Sequence, residues 1–204
     1  MYQHPFDAAL DLAALPVRER ILQVATRLFY ASGVRAVGVD TIIAESGVAK
    51  ASLYRHFPSK DDLVAAYLEQ QDRRFWAGWD MIGERTAAAP ARDRIVAHLK
   101  GVAEYIHSDL YRGCPFLGMA AAHFDADHPG ARVCRDHKLE MRRRLEVMAK
   151  DAGASDPGAL ADGLVLLIDG AFGNRQVLGN ESASRALVGA GRQLIEAATP
   201  AANI

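Results

Sequence analysis

At 204 residues, half of them hydrophobic, and with a formal net charge of −1, the chain can build a sizeable core. It is neither a disordered segment nor a protein that coats nucleic acid over its whole surface. Two cysteines, Cys114 and Cys134, rule out a disulfide framework. No apolar run approaches the ~20 residues of a membrane span.

The first residues lack the basic start and apolar stretch of a secretory signal, so the expectation is a cytoplasmic protein with reduced thiols and no membrane partner. Charge is spread unevenly. Between Pro16 and Lys60, seven cations (Arg18, Arg20, Arg27, Arg35, Lys50, Arg55 and Lys60) stand against three anions (Glu19, Asp40 and Glu45), a net +4. Beyond Lys60 the chain carries a net −3. A basic head on an acidic body suits an anionic partner such as DNA.

Residues 1–15 read as a flexible arm. Pro16 stands where a first helical turn tolerates proline. Ile21, Val24, Ala25, Leu28 and Phe29 then repeat at helical spacing, and Gly33 is placed to end that helix. A shorter helix is expected from about Val39 to Ser46, with Ile42 and Ile43 inward. Gly47 breaks it, and a third helix starts near Lys50 and stops at Pro58-Ser59. Ser59-Lys60-Asp61-Asp62 has the form of a capping box for a long fourth helix, with Leu63, Tyr67, Leu68 and Phe75 inward and a loop at Ala87–Pro90.

The remainder is also helical. Ile95, Leu99, Val102, Ala103 and Ile106 form one stripe. Gly113-Cys114-Pro115 interrupts the chain before a short apolar helix, Phe116 to His123. Asp127 is a candidate N-cap for a helix through Leu139 and Leu145 that ends near Gly153. Ser155 or Asp156 caps the next helix, and a last one carries Leu187, Leu194 and Ile195. The fold class expected is all-α, with about nine helices and no strand.

A helix, the turn Ser46-Gly47-Val48 and a second helix have helix-turn-helix spacing, in which the second helix enters the major groove by its N-terminal end. Leu53 and Phe57 would face the core. Lys50 and Arg55 can donate to guanine edges or phosphates, Ser52 can donate or accept, and Tyr54 and His56 can reach phosphates with their tips. On periodicity alone the same run is equally an ordinary solvated helix.

The run Arg18 to Leu68 resembles the N-terminal domain of TetR-family transcriptional regulators. The matching pieces are Ile21-Leu22, Ala25, Leu28-Phe29, Gly33, the Ile42-to-Val48 helix and turn, Leu53-Tyr54-Arg55-His56-Phe57 and Ser59-Lys60-Asp61-Asp62-Leu63. The resemblance implies a three-helix DNA-binding head (16–62) and a helical ligand-binding and dimerisation body (63–204). It implies DNA contacts at Lys50, Ala51, Ser52, Tyr54, His56 and Lys60, with Arg55 and Thr41 beside them. Two positions depart from the family's pattern. Gly38 and Ala49 stand where Ser or Thr usually caps the two helices of the motif.

The resemblance further implies a homodimer built on the last two helices, using Leu160, Leu164, Leu167, Ile168, Ala171, Phe172, Leu187 and Leu194. Intramolecular core would account for the same residues. An effector pocket would draw on Trp76, Trp79, Tyr105, Cys114, Phe116, Met119, Phe124, Met141 and Phe172, although aromatics at helical spacing also serve a plain core. Cys114, after Arg112-Gly113 and at a helix start, is either a reactive thiolate or a small buried apolar residue.

His123, Asp125, Asp127, His128, Asp136 and His137 lack tight ligand spacing, so no metal or other cofactor is expected, and caps and a solvated loop account for Asp127 and His128. Gly189-Ala190-Gly191 follows no strand and is no dinucleotide fingerprint. No nucleophile–base pair or paired acids suggests an enzyme. The partners expected are a double-stranded DNA operator, a small-molecule effector and a second copy of the chain, with repressor action the reading the resemblance favours.

Overall fold

The computed structural model describes residues 11–109, 111–122 and 127–200. Among these, nine α-helices follow a single 3-10 turn at Leu12–Ala14, and there is no strand. The chain divides into two compact units. One holds the described residues up to Arg74 together with Cys114–Arg135; the other holds Phe75–Gly113 and the described chain from Asp136 onward.

The smaller unit opens with α1 (Val17–Ser32), α2 (Val39–Ser46) and α3 (Lys50–His56), which pack on one another. Ile21, Val24, Ala25 and Phe29 of α1 are buried, as their spacing requires; Leu28 is half-buried. Pro16 sits at the N-cap of α1, and the backbone N–H of Gly33 closes the helix on Phe29 O. Helix α4 (Lys60–Arg85) begins at the expected capping box. The Asp62 N–H donates to Ser59 Oγ at 3.0 Å, and the Ser59 hydroxyl donates to Asp62 Oδ2 at 2.7 Å. A glutamate at this position would reach back to the backbone N–H; the shorter aspartate bonds the hydroxyl instead.

Leu63 to Leu68 of α4 are all buried, and Phe29 meets Tyr67 edge-on at 5.6 Å. The unit is completed by α6 (Pro115–Ala122) and the start of α7 (Pro129–Asp151). Here the reading of His128 as part of a solvated loop is corrected, because the residue is buried. The Gly130 N–H donates to His128 Nδ1 at 2.9 Å, and Nε2 lies 3.2 Å from Asp61 Oδ1. The imidazole thus caps α7 and ties it to the first turn of α4. His123 and Asp125 lie outside the described residues.

In the larger unit, α5 (Ala91–His107), α8 (Pro157–Leu178) and α9 (Asn180–Ala198) pack together. Their contact faces are the expected stripes: Ile95, Leu99, Val102 and Ile106; Leu160, Leu164 and Ile168; Leu187 and Ile195. Asp156 caps α8, accepting the Ala159 N–H at 3.0 Å, with Pro157 following at the first helical position. Arg142 of α7 donates to Asp162 of α8 at 2.6 Å, and Lys138 pairs with Asp169. No helix among the described residues is long and apolar enough to cross a membrane.

Candidate nucleic-acid interface

Three features set the pose of α3. Gly47 ends α2 in the left-handed region (φ 64°, ψ 27°), where a Cβ would strain the backbone, and its N–H closes on Ile43 O at 3.1 Å. Ser46 is buried and donates its hydroxyl to Ile42 O at 2.6 Å. Leu53 and Phe57 are buried, with the Arg18 guanidinium 4.9 Å from the Phe57 ring centroid. A helix of seven residues, held by Leu53 within it and Phe57 at its C-cap, leaves the faces bearing Lys50, Ala51, Tyr54 and Arg55 turned to solvent.

Those faces carry the predicted contacts. Lys50, Ala51, Tyr54 and Arg55 are exposed, as is Thr41 on α2; Ser52, His56 and Lys60 are half-buried. Tyr54 is 40% exposed, unusual for a ring that could pack elsewhere. Lys50 lies 3.5 Å from Asp40 across two highly exposed side chains, a pairing weak enough to exchange for a phosphate. Arg27 pairs with Glu45, linking α1 to α2. Neither Gly38 nor Ala49 makes a side-chain cap, as their chemistry requires. The backbone N–H groups at the start of α3 are therefore left without a capping side chain from Ala49, at the end of the helix that would meet DNA.

The residues expected around an effector divide between the units. Cys114, Phe116 and Met119 are buried in the smaller one. There Tyr67 is held protonated by burial first, with Tyr30, Cys114 and Cys134 adding to the rise in its pKa. Both cysteines are buried. In the larger unit, Trp76 and Trp79 cluster with Phe75 and His137, and the Arg144 guanidinium lies 4.2 Å over Trp76. Tyr105 and Phe172 form a second group with Tyr111, whose hydroxyl donates to Phe172 O at 3.0 Å. Met141 is fully buried. Phe124 lies outside the described residues. Sequence reading missed His98, which stacks on Trp79 at 4.2 Å and 20° between planes. It hides in the apolar stripe of α5, three residues after Ile95, and its only signal is a polar residue on a buried face.

Of the residues expected at a dimer interface, Leu160, Leu164, Ile168, Ala171, Phe172 and Leu187 are buried within the single chain, while Leu167 and Leu194 are half-buried. The apolar side chains of α8 that face solvent are others: Leu166 at 72% exposure, Val177 at 80% and Leu178 at 61%. Among the described residues no group of three or more His, Cys, Asp or Glu is disposed to hold a metal ion.

The three-helix arrangement, with a solvent-facing second motif helix bearing two cations, defines a DNA-binding helix-turn-helix protein. Comparison with known proteins agrees. Residues 21–67 match the model of the tetR family of bacterial regulatory proteins. The chain is 50% identical over 143 residues to the HTH-type transcriptional regulator LmrA of Bacillus subtilis, a span covering 70% of this chain and 76% of LmrA. Among solved structures, a TetR-family transcriptional regulator from Streptomyces coelicolor superposes with a TM-score of 0.85 at 33% identity, covering 90% of this chain and 96% of that one. A protein of the same class from Streptomyces avermitilis gives 0.76 at 31% identity, covering 90% and 98%. The chain belongs to the TetR family of transcriptional regulators, a family of DNA-binding regulators rather than enzymes.

Proposed function

We propose that the protein is a ligand-responsive repressor in the cytoplasm, which binds a palindromic operator as a homodimer and leaves it when a small molecule occupies the body. The observation that carries this reading is the outward face of α3, where Lys50, Tyr54 and Arg55 stand free of the core that Leu53 and Phe57 enter. In the operator complex Lys50 and Arg55 donate to guanine edges or phosphates, and Ala51 offers a methyl to a thymine methyl. Ser52, Tyr54, His56 and Thr41 fix the register through the backbone. Lys60 meets a phosphate at the positive end of α4. DNA reading is thus assigned to residues 16–62, and effector binding and dimerisation to 63–204.

Two copies place their recognition helices in successive major grooves, about 34–36 Å apart. The solvent-facing apolar side chains of α8, together with α9, supply the surface for that pairing. An effector that favours a body conformation mismatched to groove spacing needs a coupling of only ~1–3 kcal/mol to change operator affinity 5–150-fold. The experiment is a footprint of the purified protein on the DNA flanking its own gene, followed by equilibrium titration of the protected site with and without candidate effectors. A near-palindromic footprint weakened by one compound is the expected result. An operator affinity that no compound changes would sink the ligand-responsive part and leave the DNA binding standing.

A further inference from the structure

The larger unit contains an open cleft of about 420 Å³ whose walls include Trp79, Gly83, His98, Val147 and Met148. The volume is typical of small-molecule sites, which span ~300–1,000 Å³. His98 is 3% exposed, and a histidine so buried ordinarily has its nitrogens engaged. Here, among the described residues, Nδ1 meets no hydrogen-bond partner and is closed to solvent, which leaves Nε2 as the nitrogen a guest can reach. The ring is fixed in place by its stack on Trp79. Its Nε2 stands 4.0 Å from where a Cβ on Gly83 would lie, and both residues line the cleft.

The charges on the walls balance and are largely committed to one another. Asp80 and Glu84 stand against Arg143 and Arg144. Arg143 clasps Glu140 through two bonds of 2.7 Å, and Arg144 is shared among Glu140, Asp80 and the Trp76 face. His98 itself is neutral near pH 7: burial first, then Arg144, lower its pKa to about 4, with Asp80 opposing. What the cleft offers a guest is therefore an uncharged imidazole set among apolar walls, with no uncommitted cation for a carboxylate. The Trp79 indole and the Met148 thioether favour a flat, aromatic body.

We propose that this cleft is the effector site and that it takes an uncharged aromatic hydroxy compound, its hydroxyl bonded to the His98 imidazole and its ring against Val147, Met148 and the edge of Trp79. The proposal rests on the ligand-responsive reading above. Trp79 and Gly83 belong to α4, the helix whose first residue is Lys60, so an occupant bears on the same element that begins beside the recognition helix.

Calorimetric titration of the intact protein with 2-naphthol tests it, with naphthalene-2-carboxylate and naphthalene as comparison probes. The expectation is one 2-naphthol per chain, with both comparison probes about tenfold weaker, the order of one hydrogen bond in affinity. His98→Phe keeps a flat ring on Trp79 and removes both nitrogens, and should weaken 2-naphthol about tenfold. Gly83→Ala sets a methyl in front of Nε2 at ordinary contact distance and favours the helix, so it should weaken 2-naphthol without loss of fold. No uptake of 2-naphthol, equal uptake of the carboxylate, or wild-type binding in folded Gly83→Ala and His98→Phe would overturn the proposal. Operator affinity is read separately. Release by another compound, without 2-naphthol uptake, overturns the cleft while leaving the regulator reading intact; uptake with unchanged operator affinity overturns the effector role alone.

Discussion

Gly191 shows how closely single atoms constrain this protein. A Cβ there would stand 2.3 Å from Leu99 Cδ1 and 3.6 Å from its Cγ, and Leu99 is fully buried. Alanine normally gains up to ~1 kcal/mol over glycine inside a helix. Overpacking a filled core costs ~1–3 kcal/mol, and the fully buried Leu99 side chain must shift to admit the methyl. Gly191→Ala is therefore expected to lower the melting temperature. Gly118→Ala, where nothing lies within 4 Å, should raise it. Thermal unfolding followed by circular dichroism distinguishes them, and a stabilised Gly191→Ala protein would mean that α5 and α9 are less closely packed than described.

His98 sets a second prediction at this scale. Its folded pKa, about 4, lies below the ordinary 6.5 because burial disfavours the charged ring. As pH falls from 6.5 toward 4 the unfolded chain takes up the proton first, so this contribution to stability is complete above about pH 6.5 and declines below it. The loss is at most about 3 kcal/mol. Glu140 titrates in a lower window: hydrogen bonds from Arg143 and then Arg144 hold it at about 2 against an ordinary 4.5. Denaturant unfolding between pH 7 and 4.5 should therefore show a slope that His98→Phe flattens. An unchanged slope would mean that His98 gains a partner or water in solution.

At the scale of elements, the helix ends were the most legible part of the sequence. Pro16, Gly33, Gly47, Ser59 and Asp156 each act through local backbone chemistry that needs no knowledge of the rest of the fold, and the helices start and stop at them. The anchors of α3 are legible too, since Leu53 on the helix and Phe57 at its C-cap lie four apart. Faces were harder to read. Helix α8 is apolar on most sides, so periodicity picked out Leu160, Leu164 and Ile168 without revealing that these turn to the chain's own core while Leu166 and Val177 turn out. The pattern places His128 in a cap or solvated loop and gives no sign of His98, because burial of a histidine depends on neighbours far along the chain. The return of Cys114–Arg135 to the N-terminal unit is long-range in the same way.

The helix-turn-helix itself yields a prediction in which two lysines behave differently. Lys50 begins α3 and is expected at the base edges and nearby phosphate; Lys60 begins α4 and is expected at a phosphate alone. Each lost phosphate contact should flatten the plot of log affinity against log salt by about 0.9. Lys60→Ala should thus weaken operator and unrelated DNA alike and reduce the slope, whereas Lys50→Ala should weaken the operator more than unrelated DNA. Fluorescence anisotropy over a range of salt separates the two. Unchanged affinity in both would move the interface away from the start of these helices.

For the whole molecule the decisive surface is the outward face of α8. Large apolar side chains on a helix are normally turned to a buried face. Here Leu166 and Val177 stand 72% and 80% exposed on the single chain, with Gly170 and Gly173 exposed between them. Glycines at that spacing would let a second helix approach closely, and burial of both side chains would contribute roughly 1.5–3 kcal/mol each per copy. A charge on this face should block pairing without disturbing the fold, because neither side chain enters the chain's own core. Leu166→Glu with Val177→Glu is therefore expected to sediment at the 22.1 kDa of one chain and to keep wild-type helicity. The unsubstituted protein should sediment at twice that mass. Operator affinity should fall with dimerisation, since a linked second head raises avidity by ~10²–10⁴ over one head alone. A double variant that remains dimeric would place the interface elsewhere, and one that is monomeric yet binds the operator at full strength would mean that a single head suffices.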